Sequence, residues 1–159
     1  MNIRIGNGYD VHRLAPGLPL WICGIEIPHS QGCVAHSDGD TPIHALCDAM
    51  LGALALGDIG KHFPDNSPDY KGIDSKLLLE RVAALIESEG YSLVNADITI
   101  ALQSPKIAPY ISDMRRCLAD VLGCELSQIS VKATTTERLG FVGREEGIEC
   151  WASVLLCSK

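Results

Sequence analysis

Apolar positions recur at two periods along the chain, and the switches between them mark out the elements. Ile3 and Ile5 alternate with Arg4, and Leu20 to Pro28 (LWICGIEIP) alternates again. This predicts two strands joined around Pro16-Gly17. The period then changes. Asp40-Thr41-Pro42 reads as a helix start, with an Asp or Thr cap beside a first-turn proline. Ile43, Leu46, Cys47, Met50, Leu51 and Leu54 keep helical spacing until Gly57 ends the run. Asp74-Ser75 caps a second helix whose apolar face is Leu78, Val82, Leu85 and Ile86, with Gly90 beyond its end.

Period two returns in SLVNADITIAL, where Val94, Ala96, Ile98 and Ile100 share a face. A third helix is predicted from about Pro109 to Leu122 and closed by Gly123. ISVKATTT and IECWASVLLC read as the last two strands. The resulting order, β-β-α-α-β-α-β-β, predicts an α+β fold, a sheet with helices packed on one face. No repeat, linker or low-complexity block interrupts it, so residues 1–159 are expected to form a single domain.

Composition narrows the classes. At 159 residues and 47% hydrophobic the chain can bury one core. No apolar run approaches the roughly 20 residues of a membrane span. The start, MNIRIGNGYD, lacks a basic segment followed by an apolar one, so a cytoplasmic protein is expected. Seven cysteines without a CxxC pair argue against both a disulfide framework and a thiolate zinc site. Cys47, Cys150 and Cys157 sit among apolar residues and read as small buried hydrophobes. A net charge of −7 disfavours duplex nucleic acid, but leaves room for a phosphorylated small substrate wherever cations gather locally.

The candidate chemistry is concentrated. Asp10 and His12 lie two apart at the end of the first strand, so an extended backbone puts both on one face. His44, in the first turn of the next helix, offers a third donor. Two imidazoles and a carboxylate suit Zn²⁺ with one position left open, and spacing alone leaves an ordinary ion-pair cluster as an equal alternative. Asp48, one turn later, is placed to orient His44. His36 precedes the helix as a general acid or phosphate donor, or simply as a solvated loop histidine, while Asp38 and Asp40 are candidate caps.

Three further segments carry weaker signals. Leu56 to Asp65 has two glycines that let a ligand approach and Asp58 as a hydroxyl acceptor, or else is an ordinary helix stop. Lys132 to Phe141 collects hydroxyls, amides, a lysine and Glu137 at a strand end. This suits a phosphate and a hard cation such as Mg²⁺, though threonines are also common strand residues. Leu102 to Ile107 exposes amides suited to a base edge.

GYDVHRL, AHSDGDTPIHALCDAMLGALALGDIGKHFPD, the Pro105-Lys106 loop and VKATTTERLGFVGREEGI, in this order and spacing, resemble the 2-C-methyl-D-erythritol 2,4-cyclodiphosphate synthase family nearly end to end. The resemblance implies a homotrimer of α+β subunits, in a ferredoxin-like βαβ arrangement, with active sites at subunit interfaces. It implies conversion of 4-diphosphocytidyl-2-C-methyl-D-erythritol 2-phosphate to the cyclic diphosphate and CMP, in non-mevalonate isoprenoid biosynthesis. Asp10, His12 and His44 would hold Zn²⁺, and His36 and Thr135 would stabilise the transition state, with Ser37 on phosphate. Asp58, Ile59 and Gly60 would bind the methylerythritol part, and the segment Phe63, Pro64, Asp65, Asn66 and Ser67 would close over it. Leu102, Gln103, Ser104, Pro105, Lys106, Ile107 and Ala108, a loop contributed by the neighbouring subunit, would take cytidine. Thr134, Thr135, Thr136 and Glu137 would contact the diphosphate, with Glu137 near Mg²⁺ or Mn²⁺. Phe141 and Arg144 would line a threefold-axis cavity able to hold an isoprenoid diphosphate. Asn7 and Pro42 depart from the family's usual residues at positions of no expected consequence. Two rival readings remain at this level: a zinc phosphodiesterase using metal-bound water, and a non-catalytic sensor of isoprenoid diphosphate.

Overall fold

The structure is a computed structural model describing residues 1–159. Five strands form its main sheet: β1 (Ile3–Pro16), β4 (Gln31–Cys33), β5 (Tyr91–Ala101), β6 (Ile129–Thr134) and β7 (Gly147–Ser158). Their spatial order is β4-β1-β7-β5-β6. All neighbours are antiparallel except β5 and β6, which run parallel. Parallel strands need a crossover, and α4 (Ile111–Leu122) supplies it, giving one βαβ unit in a mixed sheet. With α1 (Thr41–Ala53) and α3 (Ser75–Ser88), α4 covers one sheet face and buries a continuous apolar cluster there. The fold is α+β, as the periodicity requires.

Alternation in β1 decides where the chemistry lies. Its even residues face the helices, and Gly6 and Gly8 mark the closest approach. A Cβ on either would sit 1.8 or 1.9 Å from the carbonyl oxygens of Ala49 and Ala45. Only glycine lets the α1 backbone rest on the strand so closely. That contact carries His44, in the first turn of α1, over the interior of β1, where Asp10 and His12 point the same way. Contrary to expectation the strand does not end at these residues, but runs on to Pro16 by pairing with β7 and then β4.

Asp40 fixes the start of α1. Fully buried, it caps the helix by accepting from the Ile43 amide and also accepts the amides of Cys23 and Gly24. The last two belong to a turn between β2 (Leu20–Ile22) and β3 (Ile25–Ile27), where both residues have positive φ, 52° and 77°. LWICGIEIP is therefore not one strand but a two-stranded hairpin apart from the main sheet. The inward side chains switch from even positions (Leu20, Ile22) to odd ones (Ile25, Ile27) across Cys23-Gly24, a one-residue shift that in so short a run reads as readily as a bulge as a reversal. Removing the carboxylate strands two or three buried amides and a cap, each costing about 1 kcal/mol or more. Asp40→Ala is accordingly expected to lose roughly 3 kcal/mol in chemical denaturation, and a loss below about 1 kcal/mol would contradict the clamp.

Three other expectations shift. α1 stops at Ala53 rather than at Gly57, because Ala55 already turns left-handed at φ 57°. A bulge between Leu93 and Asn95 breaks the β5 alternation and leaves Val94 exposed instead of inward. The third helix begins at Ile111, after a 3-10 turn at Ala108–Tyr110. All seven cysteines are free; Cys47 and Cys150 are buried and Cys157 half-buried. No helix is long and apolar enough to cross a membrane.

Candidate metal centre

Asp10, His12 and His44 converge. The Asp10 Oδ2 lies 3.0 Å from His12 Nδ1 and 3.2 Å from His44 Nδ1, and one ligand atom from each residue falls within 4.8 Å of the other two. The imidazole rings are 5.3 Å apart, centre to centre. A carboxylate and two imidazoles at this separation fit a divalent ion of the zinc class with a coordination position to spare. The trio is largely buried, which sharpens its electrostatics. Burial alone would raise the Asp10 carboxyl, but hydrogen bonds from His12 and His44 outweigh it and hold the group at about 2.

His44 moves the other way. Burial disfavours its charged form, yet the Asp10 hydrogen bond and the Asp10, Asp40 and Asp38 charges prevail and raise its pKa. A proton on Nδ1 competes with a metal for the same lone pair. Metal affinity should therefore fall, and proton release on binding should grow, as the pH drops through that raised value. Zinc titrations in buffers of differing ionisation enthalpy check this. An affinity unchanged between about pH 6 and pH 8 would contradict it.

A cleft of about 360 Å³ opens beside the trio, lined by Asp10, His12, His36, Ser37, His44, Ile59, Gly60, Phe63 and Asp65. The family resemblance implies a role in the site for every one of these residues. Ala35, Tyr70, Ile73 and Leu78 also line the cleft and were not expected there, because their spacing reads only as loop, turn and helix. His36 donates from Nε2 to the Ser67 carbonyl at 3.0 Å, tying it to the end of the Phe63–Ser67 segment. Asp58 caps α2 (Ile59–His62) by accepting from Lys61, and Pro64 and Asn66 form the turn that follows. Asp48 does not orient His44 as expected; its carboxylate accepts the Ile59 amide at 2.7 Å and so anchors the Asp58–Gly60 turn.

The remaining candidates gather elsewhere. Leu102, Gln103, Pro105, Lys106, Ile107 and Ala108 line a second pocket of about 150 Å³ together with Thr134 and Thr135. Ser104 precedes Pro105 in the same loop through a cis peptide bond. Gln103 accepts from the Arg138 amide, and Thr135 Oγ1 accepts from the Glu137 amide, which couples loop and threonine turn. Thr136 donates to the Leu139 carbonyl, and Glu137 is exposed. Phe141 and Arg144 line a third pocket of about 650 Å³ with Arg13, Glu145 and Glu146. In the sheet, Asp10 pairs with Cys150, Cys150 with Ile100, and Ile100 with Ala133. The threonine turn thus starts three strands from the metal trio, about 14 Å away at about 4.8 Å per strand.

Residues 3–157 match the model of the YgbB family. The chain belongs to that family. Its relatives include the 2-C-methyl-D-erythritol 2,4-cyclodiphosphate synthase of Porphyromonas gingivalis, 60% identical over 153 residues, 96% of this chain and 94% of that protein. The enzyme of the same name from Pseudoalteromonas atlantica is 56% identical over 98% of this chain and 96% of its own. Among solved structures, a 2-C-methyl-D-erythritol 2,4-cyclodiphosphate synthase with bound CDP superposes at a TM-score of 0.90 with 38% identity. The match covers 97% of this chain and 100% of that one. The bifunctional IspDF of Campylobacter jejuni superposes at 0.96 with 42% identity, over 99% of this chain but only 43% of that protein. In this YgbB-family chain the Asp/His/His trio is therefore the feature around which the other residues must be read.

Proposed function

We propose that this chain closes 4-diphosphocytidyl-2-C-methyl-D-erythritol 2-phosphate to 2-C-methyl-D-erythritol 2,4-cyclodiphosphate and releases CMP, as a step of non-mevalonate isoprenoid biosynthesis. The single observation that carries this reading is the convergence of Asp10, His12 and His44 at the wall of a cleft that also holds His36 and Ser37. The relatives named for that synthase, one of them solved with CDP, supply the substrate class.

The nucleophile is already on the substrate, since its 2-phosphate attacks the β-phosphorus and CMP departs. Two anions must meet, so charge neutralisation and alignment are the work to be done. Zn²⁺ held by Asp10, His12 and His44 would polarise the β-phosphate, and Mg²⁺ or Mn²⁺ near Glu137 would neutralise the departing CMP. Ser37 and His36 contribute hydrogen bonds to the phosphates, and Thr135 donates where charge develops. Asp58, Ile59 and Gly60 hold the methylerythritol part, their turn anchored by the Ile59 amide on Asp48, with Phe63 to Ser67 closing over it. The Leu102–Ala108 loop reads cytosine and Lys106 adds a local cation, whereas Lys132 and Arg144, expected to help offset the substrate's charge, are paired with Asp97 and Glu146. Effective molarities for such aligned steps reach about 10⁵ M or above.

The same proposal includes a homotrimer with shared sites. The sheet face opposite the helices exposes Ile3, Ile5, Tyr9, Val11 and Trp151, an apolar surface suited to burial between subunits. The separation of about 14 Å between trio and threonine turn also suits a site that draws Thr134, Thr135 and the cytidine loop from a neighbour. Phe141 and Arg144 would then border an axial cavity fitted to an isoprenoid diphosphate. Phosphorus NMR of the products tests the reaction. A cyclic diphosphate and CMP are expected, whereas an open-chain product would make the chain a hydrolase.

A further inference from the structure

We propose that Ser75 and Asp38 are positioning residues for the metal centre, forming a hydrogen-bonded relay that aims His44 Nδ1 at the ion. The inference rests on the metal-centre reading above and concerns side chains to which that reading assigns no part. Sequence reasoning makes Ser75 a helix cap, but Asp74 takes that role by accepting the Lys76 amide. The Ser75 side chain, fully buried at the start of α3, turns instead to His44, its Oγ 2.9 Å from Nε2.

A count of protons fixes the direction of the relay. The Asp38 carboxylate can only accept. It receives the Asp40 amide on Oδ1, the Ser75 amide on Oδ2, and the Ser75 hydroxyl on Oδ1. The single hydroxyl proton of Ser75 is thereby spent on Asp38, so toward His44 its oxygen has only lone pairs to offer. Nε2 must carry the proton and donate it to Ser75. With Nε2 protonated, the ring's other nitrogen is the one left to bind metal, and Nδ1 is the atom that faces Asp10. A ligating imidazole whose second nitrogen is held in this way keeps both its tautomer and its ring angle.

Ser37 offers a competing oxygen. Its Oγ lies 3.2 Å from the same Nε2 and accepts the Gly39 amide. One N–H serves one strong partner, and the shorter contact is to Ser75. Ser37 is also a cleft-lining residue, whereas Ser75 is closed off from solvent. The division of labour is therefore that Ser75 holds the ring and Ser37 stays available to substrate. The relay also ties the first turn of α3 to the metal centre, through two residues 37 apart in sequence.

Zinc affinity by chelator competition, with the d–d spectrum of the Co²⁺-substituted protein as a second readout, tests the assignment. Ser75→Ala is expected to weaken zinc binding about 10- to 100-fold and to shift the Co²⁺ bands. Ser75→Thr, which keeps the hydroxyl, is expected to restore most of the affinity. Asp38→Asn, which leaves Ser75 in place but removes the acceptor-only partner, should weaken binding in the same direction. Ser37→Ala should leave zinc affinity unchanged. Circular dichroism identifies any variant that fails to fold, and the folded members of the set then decide. Unchanged zinc affinity and spectrum in folded Ser75→Ala or Asp38→Asn would overturn the relay. So would a loss in Ser37→Ala as large as that in Ser75→Ala. Wild-type protein that binds no zinc would overturn the metal centre itself, a result separate from failure of the relay.

Discussion

His44→Ala should lose zinc and turnover together while the fold persists. The side chain offers one of the three donors proposed to hold the ion, and no neighbour stands ready to replace it. Ser37 and Ser75 approach the other ring nitrogen, and Asp48 is committed to the Ile59 amide. Removing a direct ligand should cost at least the roughly 100-fold in affinity that follows loss of a ligand's hydrogen-bond partner. Activity should fall about 10³-fold or more, because the ion's charge acts where the phosphates meet. His44 also packs at the start of α1, whose cap is Asp40 and whose approach to β1 is set by glycines, so its loss leaves the helix anchored. Zinc content by elemental analysis, set beside turnover, checks the prediction. An active zinc-free variant would refute it.

Thr135→Ala should behave differently. The hydroxyl sits at the end of β6 beside the pocket formed by the Leu102–Ala108 loop, and it accepts from the Glu137 amide. A donor that strengthens only as charge develops contributes to kcat rather than to binding. Removing one such donor typically costs about 10²- to 10³-fold in kcat. KM should change little. A rise in KM with kcat intact would mean that Thr135 binds ground state and transition state alike. The pair of variants also tests the shared site. Mixed subunits of His44→Ala and Thr135→Ala should regain part of the lost activity, because some interfaces would then unite an intact trio with an intact threonine turn. Sites confined to one chain would show no recovery.

Much of this was legible in the residues, and the failures have physical causes. Asp10 and His12 follow from period two, which puts alternate strand residues on one face. His44 does not follow from spacing alone. What delivers it is the approach of α1 to β1 at Gly6 and Gly8, where no side chain intervenes. Asp48 was misread because i,i+4 spacing says which residues share a helix face, not which donors remain unsatisfied nearby. The Ile59 amide, eleven residues on, was the stronger claim. Ser75 was misread for the same reason: local sequence sees a cap, whereas its hydroxyl answers to Asp38 and His44, more than thirty residues away. The β2–β3 hairpin escaped notice because its turn relies on left-handed Cys23 and Gly24 held by a distant carboxylate. The threonine turn and the Leu102–Ala108 loop meet in one pocket only through the parallel β5–β6 pairing, a long-range register that no local period encodes.

The most direct test is anomalous scattering at the zinc edge from crystals grown with CDP. One strong peak is expected among Asp10 Oδ2, His12 and His44 Nδ1, facing the nucleotide's diphosphate, with cytosine against Pro105 and Lys106 of an adjoining copy. A zinc ion bound elsewhere, with the two rings and the carboxylate turned away from one another, would contradict it.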